Sequence, residues 1–360
     1  MSIVEVAKAA GVSTATVSRV MNGLPGVRAE TAAQVRAAMN QLKYVRQRTR
    51  SVRRRATART PALRTGNIAV ITVGQGPGWL QVPVIASVLG GIQKGVGAHE
   101  LRLILTEMTE LDKPSPVLTD RQVDGAIVCF AGEVPPDRYE LAFRTIQAHA
   151  PAVWVMGGAA AVNADMGVDH VAPDNIAVGH LAYKHLKSLG CQRPAFLASH
   201  PGWGLLRLRG QSFLNGAVDD GKEPTCYAMA YSDFDRANVP LYGKRVITSE
   251  QSLADLIKKM AQDDRRPDGL FVPRDVTTAE IYPLLQQNGL AVGRDLHVVS
   301  CDAEEPRLSS LHPRPASVDL RGEEIGYRCV NRLLNRIERP NSPPLVIQVT
   351  PRLRLAAPAT

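Results

Sequence analysis

The chain has 360 residues, 44% of them apolar and 21% charged, with a formal net charge of +9. That content is too apolar for a disordered chain, and the length leaves room for a large core beside a small domain. No stretch approaches the ~18 apolar residues of a membrane span, the opening MSIVEV lacks a secretory leader's basic and apolar regions, and the five cysteines (Cys129, Cys191, Cys226, Cys301, Cys329) contain no C-x-x-C pair. Reduced thiols in a cytoplasmic protein, with no disulfide frame, metal or other cofactor, are therefore expected.

The first predicted helix starts at Ser2, a good N-cap with Glu5 three places on. Its apolar residues Ile3, Val6, Ala7 and Ala10 recur at helical spacing. Gly11 supplies the left-handed residue that ends it. Ser13 can cap a second helix in which Val17, Val20 and Met21 face inward, and Asn22-Gly23 stops it. Two short helices across the Gly11-Val12-Ser13 turn have the helix-turn-helix pattern. They cannot enclose a core, so a third helix from about Glu30 to Lys43, striped by Ala32, Val35, Met39 and Leu42, is the required lid.

Charge separates this unit from the rest. Residues 1–66 hold 13 Lys and Arg against 2 Asp and Glu, whereas residues 67–360 hold 30 against 32. All the excess positive charge therefore sits with the helix-turn-helix, where a phosphate backbone would need it. Between Arg46 and Arg59 lie seven arginines and no acid (Arg46, Arg48, Arg50, Arg53, Arg54, Arg55, Arg59). Such a segment repels itself in a packed fold and reads as a solvated tether that settles onto DNA when phosphates neutralise it.

From Gly66 apolar runs of strand length alternate with helical stretches. The strands expected are Ile68–Val73, Leu101–Leu105, Gly125–Phe130, Ala152–Met156, Pro194–Ala198, Cys226–Tyr231, Gly269–Val272, His297–Ser300 and, last, Leu345–Val349. The helices expected are Pro83–Ala98, Asn175–Leu189, Gln211–Asp219, Leu253–Asp263, Thr277–Asn288 and Gly322–Asn335. Continuous apolar strands alternating with helices imply parallel sheets covered on both faces. Their number is too large for one small sheet, so two doubly wound α/β subdomains with a cleft between them are expected, the ligand sitting outside the strands' carboxyl ends.

In its residues the chain resembles LacI-family transcriptional regulators. The family's pattern, roughly V-A-x-x-A-G-V-S-x-x-T-V-S-R-V-x-N-G, is met by Val6, Ala7, Ala10, Gly11, Val12, Ser13, Thr16, Val17, Ser18, Arg19, Val20, Asn22 and Gly23. Asp174-Asn175, His185-Leu186, Leu189-Gly190, Arg209 to Phe213, Arg274-Asp275 and Ser300-Cys301-Asp302 follow in the family's order. The resemblance implies a periplasmic-binding-protein-like core, a homodimer, and a small effector, most simply a sugar or sugar derivative, between two subdomains. The expected layout is a DNA-binding domain at 1–45, a linker at 46–66 and a core at 67–360. Within that core, 67–191 and 302–335 would form one subdomain, 192–301 and 336–356 the other.

The resemblance also implies roles. The second helix would enter the major groove, with Thr14 and Ala15 near base edges and Ser18 and Arg19 one turn on. Arg19 can bond O6 and N7 of guanine, whereas Ala15 can only touch apolar surface such as a thymine methyl. Thr16 and Asn22 would bond phosphates and set register. The linker departs from the family: Arg46, Gln47 and Arg53 stand where a proline, an asparagine and a groove-wedging leucine are usual, and Leu63 comes about ten residues late. Arg46, Arg48, Arg53, Arg54 and Arg55 are accordingly expected to act as electrostatic contacts to a narrow minor groove. In the core, Arg209 matches the family's ligand-gripping arginine and Asp275 the aspartate of its N-D pair, a donor and acceptor suited to a polyol. Arg274 replaces the asparagine, which leaves room for an acidic or phosphorylated ligand. Trp79 and Trp203 could stack on a sugar ring or simply pack, Asp302 could line the cleft or end a strand, and Asp174 could cap the helix that it precedes.

Other chemistries fit less well. GQGPGW (Gly74–Trp79) has Trp79 at the third glycine's place of a dinucleotide fingerprint. No G-x-x-x-x-G-K-[ST], H-E-x-x-H or G-x-S-x-G occurs, so no enzyme is expected. A transport binding protein would lack the basic head. An architectural DNA-binding protein would use the arginine arm without an effector.

Overall fold

The computed structural model describes residues 3–21, 27–42, 63–74, 82–130, 136–157 and 167–356. The chain divides into two units, residues 1–59 and 60–360.

The first unit holds α1 (Ile3–Ala9), α2 (Thr14–Met21) and α3 (Ala29–Gln41). Gly11 has φ +63°, the left-handed turn that lets α2 leave α1 at an angle. Ser13 caps α2, its Oγ accepting from the Thr16 amide at 3.1 Å. Val6, Ala7, Val17, Val35 and Ala38 form a buried core with Ala10, Val20, Met21, Met39 and Leu42 around it. Each helix contributes one stripe, so α3 is the lid that the sequence requires. Ser2 lies outside the described residues.

The core unit runs β1 (Asn67–Val73), α4 (Pro83–Ala98), β2 (Arg102–Met108), α5 (Pro116–Thr119), β3 (Gly125–Phe130), α6 (Pro136–Gln147), β4 (Ala152–Val155) and β5 (Asp169–Pro173). It continues with α7 (Asn175–Ser188), β6 (Pro194–Ala198), α8 (Gly204–Asp219), β7 (Thr225–Met229), α9 (Asp233–Asn238), β8 (Val246–Ser249), α10 (Leu253–Gln262), β9 (Gly269–Phe271), α11 (Asp275–Gln287) and β10 (His297–Cys301). It ends with α12 (Glu305–Leu308), β11 (Ala316–Asp319), α13 (Gly322–Glu338), β12 (Val346–Val349) and β13 (Arg352–Arg354). Six strands form a parallel sheet in the order β12-β5-β4-β3-β1-β2. Seven form the second, β13-β11-β10-β9-β6-β7-β8, parallel except for β13. Helices cover both faces: α4 and α13 against α6 on the first sheet, α7 and α8 against α10 and α11 on the second. This is the doubly wound pair that the alternation implies.

The subdomain boundaries differ from those expected. β11, expected with the first subdomain in 302–335, belongs to the second sheet, and only α13 returns to the first. β12, expected with the second subdomain in 336–356, pairs with β5 of the first. The helix α7, expected before a boundary at 191, already packs on the second sheet. The physical reason is that the chain crosses between subdomains three times, after β5, after β11 and after β12, and edge strands pair with whichever sheet leaves backbone groups open. α8 also begins at Gly204 rather than Gln211, and α5, α6, α9, α12, β5, β8, β11 and β13 have no counterpart among the expected elements. β5 carries Asp169 and His170 inside a fully buried strand, which hid it from an apolar-run reading. Asp169 is held there by Arg332 and Arg336 of α13 at 2.7 and 2.6 Å.

Candidate functional site

The DNA-facing candidates lie on α2. Thr14, Ala15 and Arg19 are exposed, Thr16 and Ser18 half-buried, while Val17 on the opposite side is fully buried. The helix therefore offers one outward face of these residues. Thr16 Oγ1 already lies 2.9 Å from the capping Ser13 hydroxyl, so a phosphate bond from Thr16 would share that hydroxyl with the cap. Asn22 and the arm arginines Arg46, Arg48, Arg53, Arg54 and Arg55 lie outside the described residues, as does Trp79.

In the core, the candidates gather at the carboxyl ends of the second sheet's strands: Trp203 after β6, Arg274 and Asp275 after β9, Asp302 after β10. Arg209 reaches them from the second turn of α8. Its side chain is 3% exposed and its donors meet acceptors: Nε donates to Asn175 Oδ1 at 2.9 Å, and Nη1 to the Pro273 carbonyl at 2.7 Å and to Asp302 Oδ1 at 3.2 Å. Gly179 makes this placement possible. A β-carbon there would collide with the Arg209 carbonyl and stand 2.8 Å from the Phe213 amide, so only glycine lets α7 and α8 touch backbone to backbone. Asn175, to which the sequence alone assigns no role, is the residue that orients the guanidinium. Its buried position at the first turn of α7, next to the Asp174 cap (Oδ1 accepts from the Ala177 amide at 2.9 Å), was the available signal.

Asp275 is fully buried at the start of α11, and its oxygens are engaged by neighbours within the fold. Oδ1 accepts from the Ser300 hydroxyl and, at 2.9 Å, from the Ser317 hydroxyl; Oδ2 accepts from the Glu304 amide at 2.6 Å. The carboxylate thus ties β10, β11 and the turn before α12 to the start of α11. Ser317 Oγ also accepts from the Ala303 amide at 3.0 Å, which pins the turn from its other side. Asp302 and Ala303 hold φ of +108° and +54°, values unfavourable for residues with a β-carbon. The pinned turn is what keeps Asp302 opposite Arg209. Burial, then the charge of Asp302, pushes the Asp275 carboxyl up to about 7 against its three donors. Burial also raises Asp302, opposed by Arg209 and then Arg274.

Trp203 is half-buried at the start of α8. His200 lies against it at 4.5 Å between ring centres, and the Arg274 guanidinium carbon stands 5.2 Å over the indole. A cation over an indole face is itself a favourable contact. Trp203 is therefore brought to the same strand ends as Arg209 and Asp302.

A small basic head with an exposed helix face, followed by two sheets whose strand ends gather buried, oriented polar groups, defines a ligand-responsive DNA-binding regulator. Comparison with known proteins agrees. The profile for "Bacterial regulatory proteins, lacI family" matches residues 2–47, and that for "Periplasmic binding protein-like domain" matches residues 183–355. The "Sucrose operon repressor" of Streptococcus mutans is 23% identical over 346 residues, covering 95% of this chain and 94% of the relative. The "HTH-type transcriptional repressor PurR" of Actinobacillus pleuropneumoniae is 25% identical over 367 residues, covering 98% and 97%. Among solved structures, the lac repressor dimer bound to operator and the anti-inducer ONPF superposes with a TM-score of 0.65 at 20% identity, covering 99% of this chain and 98% of that one. The chain belongs to the lacI family of bacterial regulatory proteins. No described helix is long and apolar enough to cross a membrane, and the five cysteines are buried and unpaired by disulfides.

Proposed function

We propose that the protein is a sequence-specific repressor that works as a homodimer in the cytoplasm and releases or grips its operator according to a sugar or sugar derivative bound between the core subdomains. The observation that carries the reading is the Arg209–Asp302 pair. It is a buried donor and acceptor, held in place by Asn175 and by the Asp275-pinned turn, at the strand ends where ligands of such folds sit. Relatives named for a sucrose operon and for lac support a sugar, and PurR is the reason to test purines beside it.

A dimer imposes its two-fold symmetry on the operator, so two copies of α2 would read two half-sites of a near-palindrome. The effector would act by binding the open and closed arrangements of the subdomains with different affinity, the difference setting the change in operator affinity. A repressor is the simpler sign, since blocking polymerase needs no contact with it.

The test has two stages. An unbiased selection of duplexes with the full chain should return a near-palindrome; no preference refutes sequence-specific binding. A thermal-shift screen of sugars, sugar acids and purines, each hit then added to an operator titration, should return a metabolite that moves operator affinity. Specific binding that no metabolite alters would instead favour the architectural reading.

A further inference from the structure

One cation at the strand ends has no salt bridge among the described residues. Arg209 is paired with Asp302 at 3.2 Å, and Glu304 with Arg307 at 2.5 Å. Asp275 is fully buried and accepts from Ser300, Ser317 and the Glu304 amide. Arg274 remains. It is half-buried, and among the described residues its guanidinium has no carboxylate within 4.0 Å. Its guanidinium carbon stands 5.2 Å over the indole of Trp203, and its charge also acts on Asp302. A guanidinium carries five N–H donors in a rigid plane. A guanidinium in this setting is a fork for a planar or tetrahedral anion.

We infer that the cleft takes a negatively charged effector, a carboxylate or phosphate ester, whose anionic group is received by Arg274 on its Trp203 platform while Arg209 and Asp302 hold neighbouring hydroxyls. The inference rests on the effector reading above and narrows its ligand class from sugars in general to sugar acids and sugar phosphates. Arg274 acts as the specificity-determining residue.

The test uses the full-length protein and matched pairs at constant ionic strength: glucose with gluconate and glucose 6-phosphate, galactose with galactonate, ribose with ribose 5-phosphate. Inorganic phosphate is compared with chloride as the minimal anion. Wild type and Arg274→Gln are compared by thermal shift and calorimetric titration. Gln keeps a polar side chain at a half-buried position, and the unliganded melting temperature of the variant reports whether it folds. The expected result is that at least one acid binds about tenfold or more tightly than its neutral partner, that Arg274→Gln removes this advantage, and that phosphate stabilises wild type more than the variant. Neutral sugars binding as tightly as their acids, or an acid bound equally by Arg274→Gln, overturns the anion assignment and leaves the effector reading standing. No response to any member of the panel, phosphate included, also overturns the anion assignment, and the effector reading is then decided by the wider screen of sugars and purines.

Discussion

Replacing Asp275 by Asn tests whether this carboxylate is the clamp of the Asp302 turn. The change conserves volume and keeps an oxygen for the Ser300 and Ser317 hydroxyls, but it turns an amide N–H toward the Glu304 amide that now donates at 2.6 Å. One buried donor is left without an acceptor, costing about 1–3 kcal/mol. For a unit of this size that lowers the melting temperature by about 2–5 °C. The pH dependence gives a sharper discrimination. In the wild type the Asp275 carboxyl is pushed from its ordinary 3.8 up to about 7, by burial first and then by Asp302. A raised carboxyl means that the folded protein keeps a proton that the unfolded chain has released. The stabilisation is therefore fully present below about pH 4, declines as pH rises, and is gone above about pH 7. Between pH 5 and 8 the loss is roughly 2–3 kcal/mol. Asn does not titrate, so the stability gap between wild type and Asp275→Asn should narrow by this amount across that range. Urea titrations of both proteins at pH 5, 6, 7 and 8 measure it. A gap that stays level or widens with pH would refute the protonated clamp, and an unchanged melting temperature at pH 6 would refute the clamp altogether.

Arg19→Ala should weaken the selected operator much more than random DNA, by about 1–3 kcal/mol, as a lost base contact would; equal loss on both, measured by fluorescence anisotropy, would make Arg19 a phosphate ligand. Changing Arg53, Arg54 and Arg55 to Ala should reduce the slope of log affinity against log salt by about one for each phosphate contact removed, and an unchanged slope would make the arm a spacer. Gly179→Ala should destabilise the core by about 1–3 kcal/mol because α7 and α8 must part at the Arg209 carbonyl. Gly97→Ala is the control: a β-carbon there meets nothing within 4 Å, so it should be neutral or gain up to about 1 kcal/mol of helix propensity in the same denaturation assay.

What the chain's letters determine here is local. The three helices of the head follow from a cap, a left-handed glycine and apolar stripes within single turns, and each is found where those signals place it. Strands buried on both faces, such as Gly125–Phe130 and Pro194–Ala198, are legible because parallel-sheet interiors demand unbroken apolar runs. Arg209 and Asp302 are legible as partners only through the family's order of motifs, since 93 residues separate them.

Tertiary structure decided the rest. Which sheet receives β11, β12 and β13 depends on pairing between distant backbones, and no local pattern specifies that choice. β5 was invisible because its Asp169 is tolerable in a buried strand only with Arg332 and Arg336 arriving from α13. Asp275 reads as a ligand beside Arg274 in sequence, and that it also ties together Ser300, Glu304 and Ser317, 25 to 42 residues further on, is visible only in the fold. A carboxylate goes where hydrogen-bond donors converge, and convergence is a property of the folded chain.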